Sequence, residues 1–289
     1  MDFQSIVVKL YKCYCCGKQF SSGFRLDNSV LWEEYTVGKQ TCSQFADKYK
    51  CSIKTVQRRL DRRNVPVTPV LSRKVIVLMD TTYRGRDFGV ILFKNAPTSE
   101  NLLRYHVKHE TNALYIQGIN GLQKRGFTVV AMVCDGRKGP VQSFGDIPVQ
   151  LCQFHRTAII RRYLMGKPKL QAGRELLEVV ELLSKTDKES FAGALGLWFE
   201  KWEEFLNERS VYPLTRKTFY THKKLRSACR SLKNNLPWLF TWYGYFELNI
   251  PDTTNAVDGH FADLKNRLRN HTGLSEQRKM KFIDRFMKA

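Results

Sequence analysis

The sequence is poor in acid: 27 Asp and Glu stand against 48 Lys and Arg, a formal net charge of +21. Such an imbalance repels itself in a compact chain, so it points to a polyanionic partner, with nucleic acid first and an anionic membrane surface second. The sequence also lacks any apolar run near the ~20 residues of a membrane span. No signal-peptide pattern opens it, so the expectation is a cytoplasmic protein with no membrane association. Internal repeats and low-complexity tracts are missing, which argues against a solenoid or a linker. The eight cysteines form no disulfide framework: Cys13, Cys15 and Cys16 crowd together while Cys42, Cys51, Cys134, Cys152 and Cys229 scatter. In a reducing compartment they read as core fillers or metal ligands. What is present is globular material: 43% hydrophobic and 12% aromatic residues over 289 positions, enough for one large core and one or two small modules.

Pattern divides the chain into five stretches. Residues 1–24 hold a knuckle-like turn, Cys13-Tyr14-Cys15-Cys16-Gly17-Lys18-Gln19-Phe20. Residues 25–72 read as short helices and a linker, with Asn28, Thr41 or Ser43, and Ser52 as caps, and Pro66 and Pro69 closing the pattern. From 73 to 162 strands and helices alternate: Val75–Met79, Phe88–Phe93 and Leu102–Val107, a helix over Leu114–Lys124, then Phe127–Cys134, a helix and Ile147–Leu151. Three strands, helix, strand, helix, strand is the order of an RNase H-like α/β core. Residues 163–250 read as an all-helical insertion broken at Pro213 and Pro237. Residues 251–289 hold one amphipathic helix, Ala256–Leu268, and a basic tail helix, Glu276–Phe286.

Asp80 and Asp135 each end an apolar strand in this reading. A carboxylate there projects off the sheet edge, where it can hold a cation without being buried unpaired; equally, Asp is a good turn residue. A third acid is expected from a neighbouring helix. Val257, Phe261, Leu264 and Leu268 form an apolar stripe at helical spacing, and Asp258, Ala262, Lys265 and Arg269 form a second beside it. Asp258 is therefore preferred to Asp263, which lies about 140° further round the helix. Oxygen ligands of this kind select Mg²⁺ or Mn²⁺.

The segment Cys51–Leu60 reads as a recognition helix that packs through Ile53, Val56 and Leu60 and leaves Lys54, Thr55, Gln57, Arg58 and Arg59 outward. Gln and Arg can pair bidentately with adenine and guanine edges in the major groove. Trp198, Trp202, Trp238 and Trp242 read mostly as core of the insertion.

These pieces together resemble the Mutator-type DDE transposases of bacterial insertion sequences, in the branch with a variant zinc-binding N terminus. The resemblance spans nearly the whole chain. It rests on Asp80 in Val-Leu-Met-Asp-Thr-Thr, Asp135 in Cys-Asp-Gly, Cys152-Gln153-Phe154-His155, and Thr254-Asn255 shortly before Asp258. It implies a DNA transposase, cytoplasmic and nucleoid-associated in a bacterium, acting as a homo-oligomer on double-stranded DNA: the element's terminal inverted repeats and a target. Asp80, Asp135 and Asp258 would hold the metal, His155 would act beside them, Cys152 would be structural, and Lys265 and Arg269 would meet phosphates. The family more often has Glu at the third position. Only Cys13 and Cys16 match its zinc motif, and the chain starts too late for a second pair, so zinc is not expected. An RNase H-like nuclease and a catalytically decayed DNA-binding protein remain alternatives.

Overall fold

The computed structural model describes residues 10–21, 27–62, 72–85, 88–136, 138–166, 168–271 and 274–287. The chain divides into two compact units, one of residues 1–66 with 266–286 and one of residues 67–265 with 287–289. Pro66 and Pro69, read above as a linker, lie outside the described residues.

In the first unit, β1 (Leu10–Lys12) and β2 (Gln19–Ser21) pair antiparallel around the cysteine knuckle. Gly17 adopts φ +68° there and donates its N–H to the Cys13 carbonyl at 2.9 Å. Three short helices follow: α1 (Asn28–Thr36), α2 (Cys42–Lys48) and α3 (Ile53–Asp61). Asp27 rather than Asn28 caps α1, while Thr41 and Gln44 make a reciprocal capping box on α2 and Ser52 caps α3, each supplying an acceptor for otherwise orphaned N–H groups. Leu31, Trp32, Tyr35, Phe45, Val56 and Leu60 are buried. Ile53, expected to pack, is instead 46% exposed, because the first position of α3 precedes the turn that carries Val56 inward. The tail helix belongs to this unit: Arg278 donates two hydrogen bonds to the Asp61 carboxylate at 2.9 and 2.8 Å, and Arg285 lies 3.7 Å from Glu33.

The second unit is built on a five-stranded sheet. Its strands are β3 (Lys74–Tyr83), β4 (Gly89–Asn95), β5 (Asn101–Val107), β6 (Thr128–Cys134) and β7 (Val149–Leu151), arranged β5-β4-β3-β6-β7. The first three are antiparallel neighbours, and β6 and β7 run parallel to β3. Parallel neighbours need crossovers, supplied by α4 (Asn112–Lys124) and by the short α5 (Lys138–Ser143). Order and direction are compatible with an RNase H-like core. Every residue of β4 is buried, as expected of a strand covered on both faces. Helix α4 lies so close to β4 that a Cβ on Gly118 would stand 2.0 Å from Cζ of Phe93.

Beyond β7, α6 (Gln153–Tyr163), α7 (Gln171–Glu181) and α8 (Lys188–Asn207) lead to a hairpin of β8 (Arg209–Val211) and β9 (Thr218–Tyr220). The insertion is thus not all-helical. Val211, Tyr212, Thr218, Phe219 and Tyr220 favour extended backbone, and Pro213 turns the chain between them instead of merely ending a helix. Pro237, in turn, breaks nothing: it sits in the last turn of α9 (Lys223–Leu239). A short α10 (Thr241–Gly244) and a 3₁₀ turn precede α11 (Asn255–Arg269), and α12 (Glu276–Phe286) is the tail helix. Trp198 is buried and donates its indole N–H to the Ala172 carbonyl at 3.0 Å, while Trp202, Trp238 and Trp242 are half-buried against the same core.

Candidate functional site

Asp80 does not end its strand. β3 continues to Tyr83, hydrogen-bonded to β4 throughout, but its parallel pairing with β6 stops at Leu78 opposite Val133. Asp80 therefore sits in mid-strand, just past the point where one neighbour has peeled away. It is 8% exposed, and its Oδ1 accepts the Thr81 N–H at 2.8 Å. Burial, helped by the nearby charges of Asp258 and Asp135, pushes its carboxyl up to about 7.

The second contributor is α6. Cys152, fully buried, stands at its N-cap position, yet its side chain makes no capping bond. The sulfur instead accepts from the backbone N–H and the hydroxyl of Thr254, at 3.3 and 3.4 Å. Burial alone would raise this thiol, but hydrogen bonds with His155 and Thr254 outweigh it and hold it below its ordinary value. His155, one turn on, is raised to about 9, chiefly by its hydrogen bond with Cys152 and against the cost of its own burial, with Asp80 and Asp258 adding to the rise. At neutral pH the imidazole is thus a cation with two donors. Its Nδ1 lies 3.3 Å from the Thr254 hydroxyl and its Nε2 lies 3.9 Å from Oδ1 of Asp258.

The third contributor is α11. Val257, Phe261, Leu264 and Leu268 are all buried, which turns Asp258 to the flank in the first turn. Ala262, Lys265 and Arg269 are exposed. Thr254, itself fully buried, lies 3.4 Å from Asp258 Oδ2 as well as against Cys152 and His155. Its single hydroxyl proton serves either the Cys152 sulfur or the Asp258 carboxylate at a time, while its oxygen accepts from the protonated His155 Nδ1.

Ligand atoms of Asp80, His155 and Asp258 lie within 4.8 Å of one another, the one such group among the described residues. Asp135 is not in it. Half-buried beyond the end of β6, Asp135 influences Asp80 through its charge and does the same to Arg156. That guanidinium is 5% exposed, with its NH1 on the Ser231 hydroxyl at 2.9 Å. Burial works against the Arg156 charge, and Asp135 is the leading group that restores it. Gly136 follows at φ +111°, and a Cβ there would stand 2.5 Å from NH2 of Arg156, so the arginine lies where any side chain at 136 would be. The sequence reading missed Arg156 and the linking part of Thr254. A signal for the first was present: Arg156, Ile160 and Leu164 recur every four residues, placing a charge on the buried face of α6.

Donor chemistry tests whether a divalent cation fits. A carboxyl raised chiefly by burial, with neighbouring acids adding to the rise, is the electrostatic shortfall that a bound cation removes. Two carboxylates facing one space suit a hard ion. Protonated His155 cannot ligate, so it fits as a donor at the rim, with Asp80 and Asp258 as the holders.

Of the other residues singled out by sequence, Lys54 and Arg58 on α3 are exposed, while Thr55, Gln57 and Arg59 are half-buried. Arg59 reaches the Asn28 side chain at 3.5 Å. At the knuckle, hydrogen bonds from the backbones of Cys16 and Cys15, and from both their side chains, hold the Cys13 thiol below its ordinary value. Cys15 thus faces the same sulfur as Cys16. No helix of the described residues is long and apolar enough to cross a membrane.

No protein-family description matches the chain, and no curated protein matches it in sequence. Among solved structures, it is similar to the Drosophila P element transposase strand transfer complex at 11% identity and a TM-score of 0.37, over 91% of each chain.

Proposed function

We propose that this chain is a metal-dependent DNA transposase of the DDE/DDD type, akin to the Mutator-type enzymes of bacterial insertion sequences. The observation that carries the reading is the convergence of Asp80, His155 and Asp258 within 4.8 Å, beside an α/β sheet, in a chain of charge +21. Bound Mg²⁺ or Mn²⁺ would activate a hydroxyl for in-line attack on phosphorus and stabilise the departing oxygen. Asp80 and Asp258 would hold it, with Asp135 completing an acidic set from the neighbouring strand. His155, cationic at neutral pH, donates from Nε2 to an anionic oxygen of DNA beside the carboxylates. Thr254 and Cys152 fix that ring. Lys54, Thr55, Gln57, Arg58 and Arg59 read the inverted repeats, and Lys265 and Arg269 neutralise phosphates. The working form is an oligomer assembled on DNA.

The decisive measurement is Mg²⁺-dependent cleavage and joining of a duplex carrying the DNA that flanks the gene. Asp80→Ala, Asp135→Ala and Asp258→Ala should each lower the rate by about 10²-fold or more, the several kcal/mol such a centre supplies, with DNA binding kept within a few-fold. Asp263→Ala is the control and should be unaffected. An active Asp80→Ala or Asp258→Ala enzyme would sink the reading. One observation favours a second, the catalytically silent DNA-binding protein: Asp135 stands outside the close group, and its charge supports that of the buried Arg156. Tight binding without cleavage by the unaltered chain would select it.

A further inference from the structure

The insertion is electrically divided. Residues 209 to 246 carry eight Lys and Arg and no Asp or Glu, whereas α8 just before them holds Glu189, Glu200, Glu203 and Glu204. The acid-free stretch opens with the β8–β9 hairpin, whose geometry is fixed by its own contacts. Tyr212 N–H donates to the Lys217 carbonyl at 3.0 Å and Arg216 N–H to the Tyr212 carbonyl at 2.9 Å, with Arg216 in the left-handed region at φ +51°. Behind the turn, cations lie over rings. The Arg226 guanidinium is 3.6 Å and that of Arg209 4.4 Å from the Tyr220 ring centre, and the Lys223 ammonium is 4.3 Å from that of Phe219. Stacking of this kind holds long side chains extended and lowers the entropy lost when they bind an anion. At the tip, next to Pro213, Leu214 is 98% exposed. A leucine wholly in water at the end of a hairpin has nothing among the described residues to cover it.

We propose that the β8–β9 hairpin is a DNA-deforming wedge: Leu214 enters between base pairs of a duplex while Arg209, Arg216, Lys217 and Lys223 hold the phosphates on either side. Charge complementarity selects the partner. A cluster of cations, with Glu208 at the hairpin base the one acid beside it and engaged by His222 at 2.8 Å, fits closely spaced phosphates, and an apolar side chain set among cations is how minor-groove proteins part a base step. Flexible pyrimidine–purine steps, which unstack at least cost, are the preferred place. The inference rests on the DNA reading above, but it concerns a surface distinct from Asp80, His155 and Asp258.

The test uses the full chain and a duplex of repeated T-A steps carrying 2-aminopurine, whose fluorescence rises when its neighbours unstack. Wild type should raise the signal. Leu214→Ala, at an exposed position that the fold does not need, should remove most of the rise while leaving affinity within a few-fold. Leu214→Phe should retain it. The double variant Arg216→Ala/Lys217→Ala should shallow the slope of log affinity against log salt by about 1.8, two phosphate contacts at ~0.9 each. A wild-type rise that survives Leu214→Ala, or a salt slope unchanged in the double variant, would overturn the wedge and leave the DNA reading standing. Absence of any DNA binding would overturn the reading itself. Sedimentation with anionic phosphatidylserine vesicles that Leu214→Ala abolishes, with no change in 2-aminopurine signal, would replace DNA by a membrane surface.

Discussion

Replacing Asp80 by Asn should make the protein more stable and less useful. A carboxyl at 3.8 in the unfolded chain and about 7 in the folded one differs by ~3 pK units, worth on the order of 4 kcal/mol at ~1.4 kcal/mol per unit. The sign follows from proton binding. Between these two values the folded state holds the proton more tightly than the unfolded one, so folding is favoured at low pH. Stability is then lost as pH rises from about 4 to about 7, with the full penalty above. Asparagine has the shape of the protonated acid, and its oxygen can still accept the Thr81 N–H. Asp80→Asn should therefore gain up to ~4 kcal/mol at pH 8 and almost nothing at pH 4. Urea unfolding at the two pH values measures it. Saturating Mg²⁺ should stabilise wild type but not the variant, by ~2.7 kcal/mol at a hundredfold excess over its dissociation constant, and so narrow the gap. Equal stability of the two proteins at pH 8 in the absence of metal would refute the account of Asp80, as would a gap of equal size at pH 4 and 8.

Three further outcomes follow from particular contacts. Cys152→Ala removes the largest upward influence on His155, so the imidazole should fall from about 9 toward its ordinary value near ~6.5. NMR titration of His155 reads this, and a value still near 9 would assign the cation to Asp80 and Asp258 alone. Gly118→Ala places a methyl 2.0 Å from Phe93, and overpacking of ~1–3 kcal/mol should outweigh the gain of up to ~1 kcal/mol in helix propensity. A variant more stable to urea than wild type would show that the ring gives way freely. At the knuckle, Cys13, Cys15 and Cys16 together fall short of the four ligands that structural zinc takes, so elemental analysis should find no stoichiometric zinc; one ion per chain, lost on Cys13→Ser, would contradict that.

The sheet was legible because each of its strands is an apolar run between turn residues, and the stripe Val257, Phe261, Leu264, Leu268 because burial at a helical period leaves a mark in sequence. The position of Asp80 was not. Thr81, Thr82 and Tyr83 look like the exit from a strand, and only the pairing with β4 keeps them in it while β6 departs. The hairpin was hidden in the same way: Pro213 reads as a break in a helix until Val211 and Thr218 are seen opposite each other. Arg156 escaped because a charge on an apolar face looks like an exception. Asp135, whose charge supports it, comes from beyond the end of β6, and long-range proximity is not periodic.

The vacant cap at the start of α6 has a consequence for which sequences this site tolerates. Ser, Asp and Asn are preferred at such a position because their oxygens bond the first N–H groups of the helix. Here those residues would be drawn toward the helix, away from the Thr254 hydroxyl and backbone N–H. Cysteine caps poorly, and its sulfur stays available to Thr254 and His155. A mutational scan of position 152 should therefore separate two properties that usually travel together: the residues that best start the helix would be those that leave Thr254 and His155 without their anchor.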